Sequence, residues 1–328
     1  MTTFWISTGV VLAAIASALW LVTRWGTARI EARFPAPGKF VSTSTAPLHL
    51  VERGSLSDKC PSLLFVHGAS SNHREFQIAL EDKLQQRFGD DQHRVFVDRP
   101  GQGNSPRKWG DHSPRVQADR IAEAVRRLGV DHVIVIGHSW GGAVVAQLAV
   151  HHRELVRGAV FVAPATHPWE GGGWGGVTWY YGTACLPVIG HLFTELITLP
   201  VGWNQINDGV ENVFAPEVPV QGYASELGAR LVLRPSSFRA NAQDVFQLRP
   251  FVRAESHSYA SIQCPVHVIT GDQDGVVWPH IHSDGLERDI KGATKTVIAG
   301  GGHMPHHTHG DLILDCISEV YRSASANA

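Results

Sequence analysis

The stretch Val133-Ile134-Val135-Ile136-Gly137-His138-Ser139-Trp140-Gly141-Gly142 decides how this chain folds. Its leading apolar residues, mostly β-branched, predict a buried strand, and residues 143–149 continue as an apolar helix. A serine at so sharp a strand-to-helix turn has its backbone forced toward positive φ. Gly137 and Gly141, on either side, leave out Cβ atoms that would otherwise collide there. The turn would lift the Ser139 hydroxyl clear of the sheet, although Gly-x-Ser-x-Gly also occurs in ordinary glycine-rich turns.

Strands and helices alternate along most of the chain. Apolar runs predict strands at residues 40–41, 48–51, 63–66, 94–97, 133–136, 158–162, 266–270 and 296–299. Helical periodicity appears between several of them and again at residues 312–321. Strands that are apolar on both faces indicate a mostly parallel sheet covered by helices on both sides, which is an α/β fold.

This alternation breaks between residues 164 and 261, a segment rich in glycine, proline, tryptophan and tyrosine. We therefore predict a cap or lid insertion at 164–261, within a core formed by residues 35–163 and 262–328. Residues 1–34 form a separate N-terminal anchor and tether. The glycine run at 171–176 suggests a hinge for a movable cover, and the aromatic side chains suggest an apolar pocket, although they could equally pack the cap onto the body.

Composition limits the possible functions. The 328 residues carry a net charge of -2, which gives no electrostatic reason to expect nucleic-acid binding. The four cysteines show neither metal-ligand spacing nor a regular disulfide framework, so a reducing compartment is the simpler interpretation.

The N-terminal segment predicts a membrane anchor. Residues 4–23 contain no charged side chain and are long enough to cross a bilayer as a helix. Trp5, Trp20 and Trp25 lie near its two ends, where aromatic residues favour the interface. A cleaved signal peptide is the main alternative, but no basic side chain precedes the apolar run, which is also longer than a typical signal core. A buried or interfacial helix is a further alternative.

Basic residues indicate the orientation of this anchor. The side chains that follow the span include Arg24, Arg29, Arg33 and Lys39, and no basic side chain precedes it. Positive charge stays on the cytoplasmic side, so we expect a single-pass protein with its C-terminal body in the cytoplasm.

A serine hydroxyl is a weak nucleophile that needs a base, and the base needs an orienting acid. In a parallel sheet such groups should lie in loops after later strands, at the same edge as the serine. Gly271-Asp272-Gln273-Asp274 follows one later strand and Gly302-His303 follows the next. The order serine, aspartate, histidine is that of a known hydrolase arrangement.

Taken together, these motifs resemble the α/β-hydrolase superfamily, in its serine esterase and lipase-like branch with a cap inserted after the sixth strand. The resemblance covers about residues 38–322. It implies an eight-stranded, mostly parallel sheet with helices on both faces and a mainly helical cap. It rests on Val66-His67-Gly68, Asp98-Arg99-Pro100-Gly101-Gln102-Gly103-Asn104-Ser105, Gly137-His138-Ser139-Trp140-Gly141-Gly142, Gly271-Asp272-Gln273-Asp274 and Gly302-His303-Met304-Pro305.

The resemblance also implies the catalytic roles. Ser139 corresponds to the nucleophile, His303 to the general base and then acid, and Asp274 to the orienting carboxylate. Asp272 stays an alternative acid, with a loop-capping carboxylate as its other interpretation. The rivals of His303, which we expect to be surface histidines, are His306, His307 and His309.

The oxyanion formed during acyl transfer needs two backbone donors, each contributing roughly 3 kcal/mol. We expect one to be the N–H of Trp140 and the other that of Ala69, with Ser70 as a lesser candidate. The Trp140 and Trp278 side chains could line the pocket or could simply pack.

Haloalkane dehalogenases and epoxide hydrolases of this fold use an aspartate nucleophile, so Ser139 argues against both. We predict a serine hydrolase that cleaves small carboxylic esters of apolar or lipid-like character through an acyl-enzyme, without a cofactor or metal ion. The alternatives are a ligand-binding or sensor protein with little turnover, and a cofactor-free perhydrolase or C–C hydrolase with the same triad. The sequence does not indicate an oligomeric state.

Overall fold

The computed structural model describes residues 2–57, 60–108, 110–170 and 179–326. Its sheet has eight strands in the order β1-β2-β4-β3-β5-β6-β7-β8, which confirms the predicted sheet. The first pairings, β1 with β2 and β2 with β4, are antiparallel, and the remaining pairings are parallel. The strands are β1 Lys39–Val41, β2 Leu48–Arg53, β3 Ser62–Val66, β4 Arg94–Val97, β5 Val133–His138, β6 Val156–Val162, β7 Val266–Gly271 and β8 Thr294–Ile298.

The helices cover both faces of this sheet and build the inserted segment. They are α1 Thr2–Arg33, α2 Arg74–Phe88, α3 Pro114–Arg127, α4 Trp140–His151, α5 Trp179–Cys185, α6 Pro187–Phe193, α7 Leu199–Gly202, α8 Ile206–Phe214, α9 Tyr223–Leu227, α10 Pro235–Glu255, α11 Pro279–Asp289, α12 Pro305–Thr308 and α13 Gly310–Ala326. A π-helical turn, Thr194–Thr198, joins α6 to α7, and 3-10 turns occupy Ala229–Leu233 and Ser256–Ser261.

The side chains of the central strands contribute to two hydrophobic cores, because successive side chains of a strand point to opposite faces of the sheet. On one face, Leu64 and Val135 pack with side chains of α3 and α4. On the other face, Phe65 and Ile134 pack with side chains of α2 and α13. Both faces are therefore apolar, as a sheet covered on both sides requires.

The described part of the inserted segment is helical, from α5 through the first half of α10. The second half of α10 returns to the body, where Leu248 and Val252 join the core beneath α3 and α4. The predicted hinge at residues 171–176, with Trp174, lies outside the described residues.

Helix α1 confirms the expectation of a long apolar N-terminal helix. Within Ser7–Arg33, an 18-residue window has a mean hydropathy of 1.5, and by length and composition this helix could cross a membrane. Its early apolar side chains, such as Leu12 and Ile15, are exposed, whereas Thr23 and Ile30 are buried. Ile30 packs in a small cluster with cap residues Leu199 and Leu231.

The connection from α1 to the body is held by specific contacts. The Arg74 guanidinium lies 5.7 Å from the centre of the Phe34 ring. The Pro37 carbonyl oxygen is hydrogen-bonded to the Nε2 of His49. Gly38 has a φ of 79°, and a Cβ there would collide with the Leu50 carbonyl oxygen. Each step of the tether is thus fixed against the body.

Candidate active site

Ser139 stands at the turn between β5 and α4 in the strained conformation that its sequence predicts. Its φ is 52° and its ψ is -120°. A Cβ at Gly137 would come within 2.8 Å of the Gly141 carbonyl oxygen, and one at Gly141 would collide with that of Val66. Both glycines are needed because β3, β5 and α4 meet at this point. The turn places the Ser139 side chain at the carboxyl edge of the sheet, where the loops after β7 and β8 also lie.

The structure brings Ser139, His303 and Asp274 into one hydrogen-bonded chain. The Ser139 hydroxyl is 3.0 Å from the Nε2 of His303. The Nδ1 of His303 donates to Asp274 Oδ2 over 2.7 Å. The other Asp274 oxygen accepts hydrogen bonds of 2.8 Å from the backbone N–H groups of Val276 and Val277. Burial tends to raise the pKa of Asp274, but His303 and these N–H groups hold it below its usual value.

Asp272, the alternative acid, has a different position. Its side chain is exposed and accepts a hydrogen bond of 2.7 Å from the N–H of Gly300. It therefore caps the loop after β8, and of the two carboxylates it is Asp274 that the structure places against His303.

The expectation of surface histidines after His303 is wrong for His306 and His307, because the short helix α12 turns both rings inward. His306 is fully buried, 4.4 Å between ring centres from His138. His307 packs edge-on to Tyr223, and burial lowers its pKa to about 4. His309 is more exposed and lies 3.4 Å from a Glu217 oxygen.

A buried carboxylate that the sequence gave no reason to single out, Glu75, supports the site from below. Its Oε1 accepts hydrogen bonds from the Nδ1 of His138, at 2.8 Å, and from the N–H of Gly68, at 3.3 Å. The Nε2 of His138 in turn donates to the carbonyl oxygen of His303 over 3.0 Å. Despite burial, contact with His138 holds the pKa of Glu75 well below its usual range. Glu75, on α2, is thus hydrogen-bonded to Gly68, which lies beside Ser139, and is connected through His138 to the backbone of His303.

Among the described residues, two buried groups have the composition of metal ligands. One is Glu75 with His138 and His306, and the other is His49 with His73 and Asp98. Asp98 accepts hydrogen bonds from both of its histidine rings, at 2.7 and 3.0 Å, and from the N–H of Asn104 at 2.8 Å. Hydrogen bonding therefore accounts for the second group, which fixes the turn after β4.

The two predicted oxyanion donors flank Ser139. Trp140 begins α4, so its N–H is among those left free at a helix N-terminus. The Gly68–Ala69 peptide lies on the other side, since a Cβ at Gly68 would be 3.1 Å from the Cβ of Ser139. The lesser candidate is already engaged, because the N–H of Ser70 donates to Asn241 Oδ1 over 2.6 Å. Of the two loop candidates, Ala69 keeps the donor that can serve an oxyanion.

Arg99 orients the Gly68–Ala69 peptide. It is fully buried and donates to the carbonyl oxygens of His67, at 3.0 Å, and Gly68, at 2.9 Å. A trans peptide is planar, so fixing the Gly68 carbonyl toward Arg99 turns the Ala69 N–H the opposite way. The sequence resemblance flagged the Arg99 motif but did not reveal this contact.

Arg99 is itself held by the helix that returns from the cap. Its guanidinium lies 2.8 Å from Asp244 on α10 and 4.2 Å from the centre of the Trp140 ring. The indole N–H of Trp140 donates to the Asp244 carbonyl oxygen over 3.0 Å. Packing, rather than pocket lining, is therefore the role of the Trp140 side chain.

The cap touches the same loop through Asn241. Its amide donates to the Ser70 hydroxyl over 2.9 Å and to the hydroxyl of Tyr181, on α5, over 3.2 Å. Burial raises the pKa of Tyr181 to about 12, so this phenol stays neutral. The Ser70 backbone has a φ of 58°, and Asn241 clamps this strained residue.

Comparison with known proteins agrees with this fold. A family model described as alpha/beta hydrolase fold matches residues 61–310. An uncharacterized protein of Mycobacterium tuberculosis is 24% identical over 275 residues, covering 78% of this chain and 74% of that protein. A thermophilic esterase from Thermogutta terrifontis has a TM-score of 0.66 at 17% identity, covering 87% of this chain and 100% of its own. A bacterial membrane phospholipase A has a TM-score of 0.63 at 21% identity, covering 97% and 99%. At such identities the structural likeness shows the fold alone.

Proposed function

This chain belongs to the alpha/beta hydrolase fold family, and from that premise we propose that it is a serine hydrolase that cleaves carboxylic esters of apolar or lipid-like compounds. The observation that carries the proposal is the hydrogen-bonded chain from Ser139 through His303 to Asp274. A nucleophile, a base and an orienting acid in contact are what acyl transfer to water requires.

In the proposed reaction, the Nε2 of His303 takes the proton of the Ser139 hydroxyl as Oγ attacks the ester carbonyl carbon. The negative charge that develops on the carbonyl oxygen is stabilised by the N–H groups of Trp140 and Ala69. His303 then gives its proton to the leaving alcohol, and an acyl-enzyme forms. Water, activated by His303, attacks this ester and releases the acid. Asp274 keeps the imidazole oriented and stabilises its charged form.

The nucleophile distinguishes this proposal from other reactions on the fold. Epoxide hydrolases and haloalkane dehalogenases attack with an aspartate, whereas this chain has Ser139 at the corresponding turn. The cap favours apolar substrates, because Tyr180, Tyr181 and Phe238 form an aromatic cluster near the loop of residues 68–70, which we call the oxyanion loop.

A second part of the proposal concerns location. We propose that α1 spans a membrane once and that the catalytic body lies in the cytoplasm. The support for the span is the length and hydropathy of α1, and the support for the orientation is that Arg24, Arg29 and Arg33 all follow the apolar stretch.

A graded series of nitrophenyl esters tests the reaction. We expect turnover that a fluorophosphonate blocks by labelling Ser139. Equal rates in wild type and Ser139→Ala, with both proteins folded, would contradict the hydrolase and favour a ligand-binding role.

The anchor is tested by deleting residues 2–22, which include the exposed apolar side chains of Val10, Leu12 and Ile15, while keeping the part of α1 that packs on the cap. We expect the shortened protein in the soluble fraction. If it stays with membranes after a carbonate wash, a single anchor in α1 is the wrong explanation.

A further inference from the structure

The corner between α5 and α6 exposes a contiguous set of apolar side chains, which we call the cap apex, residues 186–192. Leu186 is 45% exposed, Val188 72%, and Ile189 and Leu192 58% each. From residue 179 to 194 the chain contains no Asp, Glu, Lys or Arg. A contiguous exposed apolar patch of this kind marks an interaction surface rather than ordinary solvent-facing structure.

The elements that meet at the cap apex have the properties of a membrane-embedded hairpin. Helix α5 and the helical stretch Pro187–Gly202 join at an angle of 118°. Together they are long and apolar enough to form a broken span or a re-entrant loop. Trp179, at the start of α5, is 75% exposed, and indole rings favour the bilayer interface.

The position of α1 determines what lies beside this hairpin. The Cδ1 of Leu199 lies 3.2 Å from where a Cβ on Gly26 would be, so Leu199 packs directly on α1. Thr23 is also buried, whereas Leu21 and Val22 just before it are exposed. Arg24 is the first charged residue of the chain, so the membrane surface would lie near it. The stretch Thr194–Gly202 is thus held at the level where α1 leaves the hydrocarbon.

We propose that the cap apex inserts into the same leaflet from which α1 emerges, so that the occupant of this apolar surface is the lipid bilayer itself. This inference rests on the proposed anchoring by α1. The cap then touches the bilayer at its apex and the oxyanion loop at Tyr181 of α5, which contacts Asn241. On this proposal, an ester dissolved in the leaflet would approach Ser139 along α5.

Fluorescence at three labelled positions tests the insertion. The full-length chain, with Cys60, Cys185 and Cys264 changed to Ser and the buried Cys316 kept, receives one new cysteine at a time: Ile189→Cys, Ile15→Cys or Val218→Cys. Each carries a nitrobenzoxadiazole label in phosphatidylcholine–phosphatidylglycerol vesicles containing doxyl-labelled lipid. Val218 is the matched control, because it is an apolar cap residue that is 81% exposed and lies outside the apex.

We expect strong quenching at positions 15 and 189 and at most one-fifth as much at 218. Quenching at 15 without quenching at 189 would overturn the insertion while leaving the anchor intact. An unquenched label at 15 would refute the anchor separately. A blue-shifted but unquenched label at 189 would mean that protein, such as a second copy of this chain, covers the apex, and would also overturn the proposal.

Activity supplies a second readout. Ile189→Lys should lower hydrolysis of a long-chain ester held in vesicles at least fivefold, and leave hydrolysis of soluble nitrophenyl acetate unchanged. Val218→Lys should change neither rate. Unaltered vesicle hydrolysis in Ile189→Lys, or an equal loss on both substrates, would contradict a lipid-facing apex.

Discussion

The loops at the carboxyl edge of the sheet and the cap above them differ in whether their side chains have partners within the chain. Around Ser139, the side chains of Asp274 and Glu75 are buried and hydrogen-bonded to His303 and His138, although both ring nitrogens of the buried His306 lack a hydrogen-bond partner among the described residues. At the cap apex, large apolar side chains such as Val188 face outward. The groups proposed for catalysis thus have partners within the chain, whereas the apex side chains would be covered by lipid under the proposed insertion. On these proposals, the sheet edge determines the reaction and the cap determines access to it.

The largest effect is expected from removing the proposed nucleophile at the sheet edge. Ser139→Ala should reduce kcat/KM for ester hydrolysis by about 10⁴-fold or more, as when other serine triads lose a member. Thermal unfolding should change little, because the hydroxyl contributes one hydrogen bond. The rates are measured with a soluble nitrophenyl ester, and labelling by a fluorophosphonate should disappear in parallel.

The next prediction concerns Arg99. Arg99→Lys keeps the charge but loses the two-point contact with the His67 and Gly68 carbonyls, so the Ala69 N–H is no longer fixed. We expect kcat to fall about 10²-fold, the usual cost of losing one oxyanion donor, with KM little changed. Arg107→Lys is the matched control, because Arg107 also pairs with Asp244 but contacts neither carbonyl. Equal losses in the two variants would assign Arg99 a purely structural role.

A smaller effect is expected on acid stability. Burial lowers the pKa of His67 and His307 to about 4 and that of His282 to about 3. The unfolded chain binds protons on these groups at higher pH than the folded chain, so stability falls as pH drops below about 6.5.

Each such histidine should cost about 2 kcal/mol of unfolding free energy between pH 7 and pH 5. His307→Phe keeps a ring against Tyr223. It should remove the contribution of one histidine, about 2 kcal/mol, from the loss of unfolding free energy between pH 7 and pH 5. Urea unfolding at both pH values measures it. A variant with the wild-type pH dependence would show that His307 is not buried in its neutral form.

The smallest expected effect lies where the two regions touch. Tyr181→Phe removes the hydroxyl that accepts from Asn241, a bond of about 1 kcal/mol. We expect kcat to change by less than tenfold and Ser70 to remain held by its direct bonds to Asn241. A loss as large as that of Arg99→Lys would mean that the cap controls the oxyanion loop more strongly than its contacts suggest.

The sheet and the turn at Ser139 could be predicted because each depends on local sequence, whereas the choice of Asp274 and His303 rested on the family resemblance. Strands need runs of apolar residues, and loops at one edge of a parallel sheet must meet. Predicting the contacts of Glu75, Asn241 and Asp244 was not possible in this way. They lie on helices far along the chain from their partners, such as Asp244 from Arg99, and no local pattern marks them.

The connection between α1 and the body, residues 34–38, is held by specific contacts, and these contacts limit how the body can move. Because Phe34 lies against Arg74 and Pro37 is bonded to His49, the link has no slack. A slack link would let the body search a volume set by its length. Under the proposed anchoring, this body instead stays at one height and tilt over the lipid. The effective concentration of the active site is then high for esters at that depth in the bilayer and negligible for esters elsewhere.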